Sequence, residues 1–184
     1  MPRCGSTSLV CVDGPSGSGK TTLAAQLARR LDNPPVLHMD DLYPGWDGLA
    51  AAIPLLHDAV VAPLAAGVPA RYPRWDWTQG AYAQEHVLGN PPLLVVEGVG
   101  AGARAVARYA ALLIWVEAPL VERFRRGMAR DGGAYLPYWR RWAAQEQVHF
   151  TTEGTRARAD VVVDTSRRLG CQGTSRSRRE WARP

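Results

Sequence analysis

Lys20 is the only lysine among the 184 residues, every other strongly basic side chain being arginine, and it lies within Gly14-Pro15-Ser16-Gly17-Ser18-Gly19-Lys20-Thr21. That octet fills each fixed position of the phosphate-loop pattern G-x-x-x-x-G-K-[ST]. Glycines let the backbone curl so that successive N–H groups point at phosphate oxygens, and the helix entered through Thr21 and Thr22 adds its positive amino end. An ε-ammonium is a compact point charge whereas a guanidinium is a flat fork, so a solitary lysine in an arginine-rich chain suits the space between two phosphates. Lys20 is expected to bridge the outer phosphates of a nucleoside triphosphate, and the Thr21 hydroxyl to ligate the accompanying Mg²⁺. A glycine-rich helix cap that binds nothing is the competing assignment; a strand before the loop and a helix after it speak against that.

Other groups offer chemistry that fits around such a loop. Asp40-Asp41-Leu42-Tyr43 follows an apolar run, so Asp40 or Asp41 is placed to accept the proton of an attacking hydroxyl or to help hold Mg²⁺. Adjacent acids at a strand end also cap turns, and it is the phosphate loop that tips the balance toward chemistry. Glu97, in Val95-Val96-Glu97-Gly98, sits where an acid can order a metal ion's water. Arg71-Tyr72-Pro73-Arg74-Trp75-Asp76-Trp77 sets flat rings about an acid, which would stack on a planar ligand while Asp76 accepts its hydrogen bonds. The same segment reads as a β-hairpin whose aromatics pack on the core, the assignment its sequence alone favours. Arg123, Arg126 and Arg130 share nearly one helix face and would neutralise a transferred phosphoryl group if that helix closed over it. A solvated face with Glu122 paired to Arg126 is the alternative.

Five apolar runs must carry these groups: Leu9 to Val12 before Asp13, Val36 to Met39 before Asp40, Leu93 to Val96 before Glu97, Leu112 to Val116 before Glu117, and Val161 to Val163 before Asp164. Such runs, separated by helix-length segments, predict a parallel sheet buried on both faces with ligands beyond its carboxyl ends. The terminal acids are therefore expected to point into one crevice. The first strand is drawn at residues 8–12 and the next helix at 21–31, with Leu23, Leu27 and Leu31 on one face. A helix over about 48–66 should kink or split at Pro54 and Pro63. A short helix follows at 102–109. The arginine helix starts near Leu120, and after Gly132-Gly133 another runs over about 135–150, where Trp139, Trp142 and Phe150 are expected to pack inward.

A chain of this size supports one domain with a substantial core. No apolar stretch is long enough to cross a bilayer and the amino end lacks a secretory-signal run, so a soluble, cytoplasmic protein without membrane partners is expected. Cys4, Cys11 and Cys171 make neither a disulfide framework nor a paired metal-ligand spacing. The net charge of +5 resides entirely in residues 165–184, where six arginines face Glu180 alone. Residues 1–164 are read as the domain and residues 165–184 as a basic, disordered tail, with no specific nucleic acid implied.

Taken together, the residues from about Ser8 to Asp164 resemble the uridine kinase group of phosphate-loop kinases. Asp40-Asp41-Leu42-Tyr43 is similar to that group's D-S-F-Y segment, whose first acid serves as base toward the nucleoside 5′-hydroxyl. Trp75-Asp76-Trp77 is similar to its nucleoside-contacting Y-D-F and Val96-Glu97-Gly98 to its F-E-G, while Arg123, Arg126 and Arg130-Asp131 follow its lid pattern. The chain departs after Trp77: Thr78 is followed by Gln79-Gly80-Ala81, where the group continues toward a threonine, a histidine and an arginine that help recognise the base. The resemblance implies an α/β P-loop NTPase fold, a five-stranded parallel sheet flanked by helices with a small arginine-bearing lid. It implies ATP and Mg²⁺ as cofactors, ATP held by Gly14 through Thr22, and metal contacts from Thr21 and Glu97. Lys20, Asp40, Arg123, Arg126 and Arg130 would be catalytic, with Asp40, Tyr43, Trp75, Asp76 and Trp77 against a small-molecule phosphoryl acceptor. Two other assignments fit the same residues: a kinase of nucleoside monophosphates or other small metabolites, and a nucleotide-dependent RNA-binding ATPase module using the basic tail.

Overall fold

Successive side chains of a strand face opposite sides, so a run that is apolar at every position has to be covered on both. The computed structural model describes residues 3–132 and 136–166. Within them the strands are β1 (Ser8–Asp13), β2 (Val36–His38), β3 (Ala70–Asp76), β4 (Ala81–Leu88), β5 (Leu93–Glu97), β6 (Ala110–Glu117) and β7 (Val161–Asp164). Five of them form one parallel sheet in the order β2-β5-β1-β6-β7, and β3 pairs antiparallel with β4 as a separate hairpin.

The central strand shows how the two layers arise. Leu9 and Cys11 of β1, with Leu94 and Val96 of β5, enter one core, while Val10, Val12 and Val95 enter the other. Burying a side chain such as Leu9 or Leu94 stabilises the fold by roughly 1.5–3 kcal/mol. The second core is closed by α1 (Lys20–Arg30) through Leu23, Ala24 and Leu27. The first is closed by α2 (Leu49–Leu56), α3 (Ala62–Ala65), α4 (Arg104–Ala107) and Trp142, which lies on a later helix. The remaining helices are α5 (Leu120–Asp131), α6 (Leu136–Glu153) and α7 (Thr155–Arg158). The chain leaves β1 toward β2 on one side, whereas β5 sends it across to β6 on the other, and such a reversal opens a crevice at the carboxyl ends. The fold is the expected α/β arrangement. Among the described residues no helix is long and apolar enough to cross a membrane.

Several local expectations need correction. The segment with Pro54 and Pro63 does divide as expected, into α2 and α3 with a π turn over residues 57–61 between them, but other details differ. Leu31 is not on the buried face of α1; it caps the helix and is 44% exposed. β7 is an edge strand, so Val161 and Val162 remain exposed instead of being covered on both faces. Of the proposed tail, Thr165 and Ser166 are described, and residues 167–184 lie outside the described residues.

Gly14 ends β1 at a φ of +143°, and a Cβ built there would stand 2.0 Å from the Val116 carbonyl oxygen of β6. Both the backbone conformation and the close approach demand glycine. Gly14→Ala is expected to cost about 2 kcal/mol or more in urea unfolding followed by circular dichroism, since neither the strain nor a main-chain clash can be relieved by a rotamer change.

Candidate active site

The phosphate loop is held from beneath by an acid that the motif does not include. Asp13, fully buried at the end of β1, accepts the Gly14 N–H at 2.7 Å and reaches across to the amides of Gly100 at 3.0 Å and Gly102 at 2.8 Å. Burial raises its pKa, and these amides together with the Lys20 charge oppose the rise. Above it, α1 starts at Lys20 after Gly19 in a left-handed conformation, with no side chain capping the helix. Its first N–H groups are left for another acceptor, the arrangement that suits an anion. Lys20 lies along the loop with Nζ donating to the Pro15 carbonyl at 3.1 Å.

Ser16, Gly17, Gly19, Lys20, Thr21 and Thr22 form one wall of a cavity of about 850 Å³. Gly14, Pro15 and Ser18 belong to the same loop but do not line it. Facing the loop, the Glu97 Oε1 accepts the Thr21 hydroxyl at 3.0 Å and the His38 Nδ1–H at 2.6 Å. Burial pushes the Glu97 pKa up, but the His38 hydrogen bond and the charge of Lys20 bring it below the ordinary carboxylate value. The bond to Glu97 in turn raises the His38 pKa. Among the described residues no cluster of three or more His, Cys, Asp or Glu side chains could hold a metal by itself. A hydroxyl beside an ionised carboxylate nevertheless fits Mg²⁺, which takes few protein ligands and otherwise binds water and phosphate oxygen.

Asp40 and Asp41 follow β2 and both line the cavity. The Asp40 side chain is solvent-exposed at the cavity wall, yet the protein crowded around it raises its pKa; Glu97 adds to the rise, while Arg130, Lys20 and His38 oppose it. Its main chain is fixed by the hairpin. The Trp77 indole donates to the Asp40 carbonyl at 2.9 Å, Arg74 Nε donates to Asp41 Oδ1 at 2.8 Å, and the Tyr82 hydroxyl donates to the Leu42 carbonyl at 2.8 Å. Trp77 also packs on Trp46 at 5.0 Å, and Trp46 stacks on Tyr138 of α6 at 4.7 Å. Tyr43 borders the cavity with its ring, since its hydroxyl is bound to the Val99 carbonyl at 2.7 Å.

The structure separates several residues that the sequence grouped. Asp76 is outside the cavity: at the hairpin turn its carboxylate accepts the Thr78 and Gln79 amides at 2.8 and 3.0 Å. Trp75 does not line the cavity either and packs edge-on to Tyr82 at 5.0 Å. Of the triplet only Trp77 reaches the cavity. The terminal acids are not all at the crevice either. Asp13 lies beneath the loop, Glu117 binds Arg156 at 2.7 Å, and Asp164 accepts the Ser166 amide.

The three arginines of α5 likewise divide. Arg126 and Arg130 line the cavity. Arg126 is braced by Glu122 at 2.8 Å, the ion pair expected from the spacing, and by the Thr165 carbonyl at 2.8 Å. Arg123 lies outside the cavity against the loop, where it donates to the Ser16 carbonyl at 3.3 Å and faces Glu146 at 3.8 Å. Glu146 of α6, buried, accepts the Ser16 N–H at 2.7 Å and the Trp142 indole at 2.9 Å. Ser16 is therefore gripped on both sides by an acid and a base from the two helices that flank residues 132–135.

Sequence reasoning missed His38, Trp46, Glu146 and Thr165. His38 and Thr165 sit at strand ends, a signal that could have found them. Trp46 and Glu146 carry no local signal, because their partners are remote in the chain.

Known proteins bear on this geometry at the level of fold. No established family profile and no curated protein sequence matches the chain. Among solved structures, a protein described as a possible uridine kinase from Bacillus stearothermophilus is similar over 86% of this chain and 89% of its own, with 24% identity and a TM-score of 0.63. A protein provisionally named a fructose transport system kinase from Silicibacter sp. TM1040 is similar over 85% of this chain and 89% of its own, with 20% identity and a TM-score of 0.51. The sheet order and the loop define an α/β P-loop fold, the fold that these solved structures share.

The Ser16 clamp yields a measurable contrast. Glu146→Ala strands a buried indole N–H, an amide and the Arg123 charge, and should cost about 3 kcal/mol in urea unfolding. Glu146→Gln keeps an oxygen acceptor and should lose less than half of that; equal losses would exclude the hydrogen bonds as the cause.

Proposed function

We propose that the protein is an ATP-dependent kinase that transfers the γ-phosphoryl group to a hydroxyl of a nucleoside-like small molecule. The observation that carries this reading is a single cavity in which the phosphate-loop lysine, the Thr21–Glu97 pair and the Asp40 carboxylate face one another. ATP would supply the phosphoryl group, and Mg²⁺ would draw charge from its outer oxygens. The loop amides and Lys20 would bind the triphosphate, Thr21 would ligate the metal, and Glu97 would order the metal's water. Asp40 would orient the acceptor hydroxyl and take its proton as the new O–P bond forms. Arg126 and Arg130 would neutralise charge as it develops, whereas Arg123 holds the loop rather than the substrate. The acceptor would rest against Trp77, Trp46 and Tyr43, without Asp76 or Trp75.

Residues 1–164, closed by the Thr165 contacts, would form the kinase unit, with the remainder a basic appendage. A second reading draws support from Arg74, whose guanidinium lines the acceptor side of the cavity and would suit an anionic acceptor such as a nucleoside monophosphate. The RNA-binding ATPase reading depends on residues outside the described part.

An ADP-release assay over nucleosides, nucleoside monophosphates and sugar alcohols tests the proposal. Acceptor-dependent release is expected, and Asp40→Asn should lower turnover on the best acceptor by about 100-fold or more while ATP affinity changes less than about threefold. Release that no acceptor stimulates would remove the kinase reading. The pH dependence offers a second check. A base must be ionised to act, so the raised Asp40 pKa moves the acidic limb of kcat/KM upward. Arg130→Ala removes a cation that favours the ionised form and should shift that limb to still higher pH; a downward shift would detach Arg130 from Asp40.

A further inference from the structure

A second concavity lies at the other end of the sheet. Its volume is about 340 Å³, and four arginines border it: Arg3, Arg104, Arg108 and Arg158. Arg3 precedes β1 and Ala110, also at the wall, begins β6, so the concavity sits at the amino ends of the strands. The phosphate loop follows the carboxyl end of β1, about 20 Å away by the rise of a six-residue strand.

The guanidiniums come from three separate stretches of chain, and those of Arg158 and Arg108 are held in place. Arg158 Nε donates to the Glu153 carbonyl at 3.0 Å and its Nη2 to the Gly102 carbonyl at 2.8 Å. Arg108 donates to His57 Nε2 at 3.0 Å and lies 4.8 Å from the Tyr109 ring centre. Arg3 adjoins Cys4, which is fully buried and bridged to Thr7, so its backbone is anchored. The nearby acids do not balance this charge. Asp160 spends a carboxylate oxygen on the Leu113 amide at 2.8 Å. Glu153 accepts the Arg104 amide at 2.7 Å and stands 4.0 and 3.9 Å from the Arg104 and Arg158 guanidiniums. Four cations thus surround two carboxylates that main-chain amides already engage. Burial and the Arg104 charge lower the Arg158 pKa, a crowding that a bound anion would relieve.

We propose that this concavity is a binding site for a small phosphorylated anion, a phosphate or phosphate monoester, distinct from the nucleotide cavity. Guanidinium forks match phosphate oxygens in pairs, and prior fixation of Arg108 and Arg158 lowers the ordering cost of binding. A concave, convergent cluster suits a compact anion, whereas a polyanionic strand would call for a continuous basic track.

The test is calorimetric titration of inorganic phosphate into the full chain presaturated with Mg²⁺ and a non-hydrolysable ATP analogue, at fixed ionic strength. Wild type should give saturable heat for one site. Arg3→Ala with Arg104→Ala should weaken it at least tenfold, and neither residue belongs to the proposed catalytic machinery. A thermal melt matching wild type would show that the doubly substituted chain is folded. No saturable heat with wild type, unchanged affinity in the variant, or binding seen with an RNA oligonucleotide but not with phosphate would each overturn the site. Failure of the ATP analogue to bind would instead strike the kinase reading, and the phosphate comparison between wild type and variant would still decide this one.

Discussion

One buried carboxylate ties together two of the loops from which the site is built. Asp13 holds the first amide of the phosphate loop and the amides of Gly100 and Gly102, so the loop after β1 and the loop after β5 cannot shift independently. Nothing in the phosphate-loop motif requires this acid, yet the motif needs a fixed starting point if its amides are to converge. The same tie runs outward, because the Gly102 carbonyl is bound by Arg158 at the far end of the chain's fold. A glycine-rich loop has high conformational freedom, and clamps of this kind offset the entropy of holding it in a single curl.

A comparable economy governs the side of the cavity that carries Asp40. The hairpin of β3 and β4 contributes little to either core, and β4 is largely exposed. Its contribution is positional: Arg74, Trp77 and Tyr82 each bind the short stretch from Asp40 to Leu42. The Trp77–Trp46–Tyr138 stack then joins the hairpin to α6, whose Glu146 grips Ser16. The Asp40 stretch, the aromatic wall and the phosphate loop are thereby parts of one mechanically continuous ring around the cavity.

Much of this was legible from residue order, and what was not has a physical cause. The glycine-lysine octet, the apolar runs and the Glu122–Arg126 spacing depend on neighbours in sequence, and they appear in the structure as β1, α1, the parallel sheet and an ion pair on α5. Asp76 misled because a family-like triplet says nothing about strand phase: with Trp77 turned inward, a turn acid beside it is spent on local amides. Arg123 misled because three arginines on one helix face need not share one environment when another helix brings a carboxylate to the first of them. Glu146 and Trp46 were invisible because their roles arise from contacts spanning 130 residues in one case and a three-ring stack in the other.

The solitary lysine has a practical corollary. Acylating reagents that seek ε-amines find a single side-chain target in this sequence, and that target lines the candidate cavity, only 8% exposed. Amine modification and its protection by ligand thus become a direct footprint of occupancy there, without the background that scattered lysines create in most enzymes.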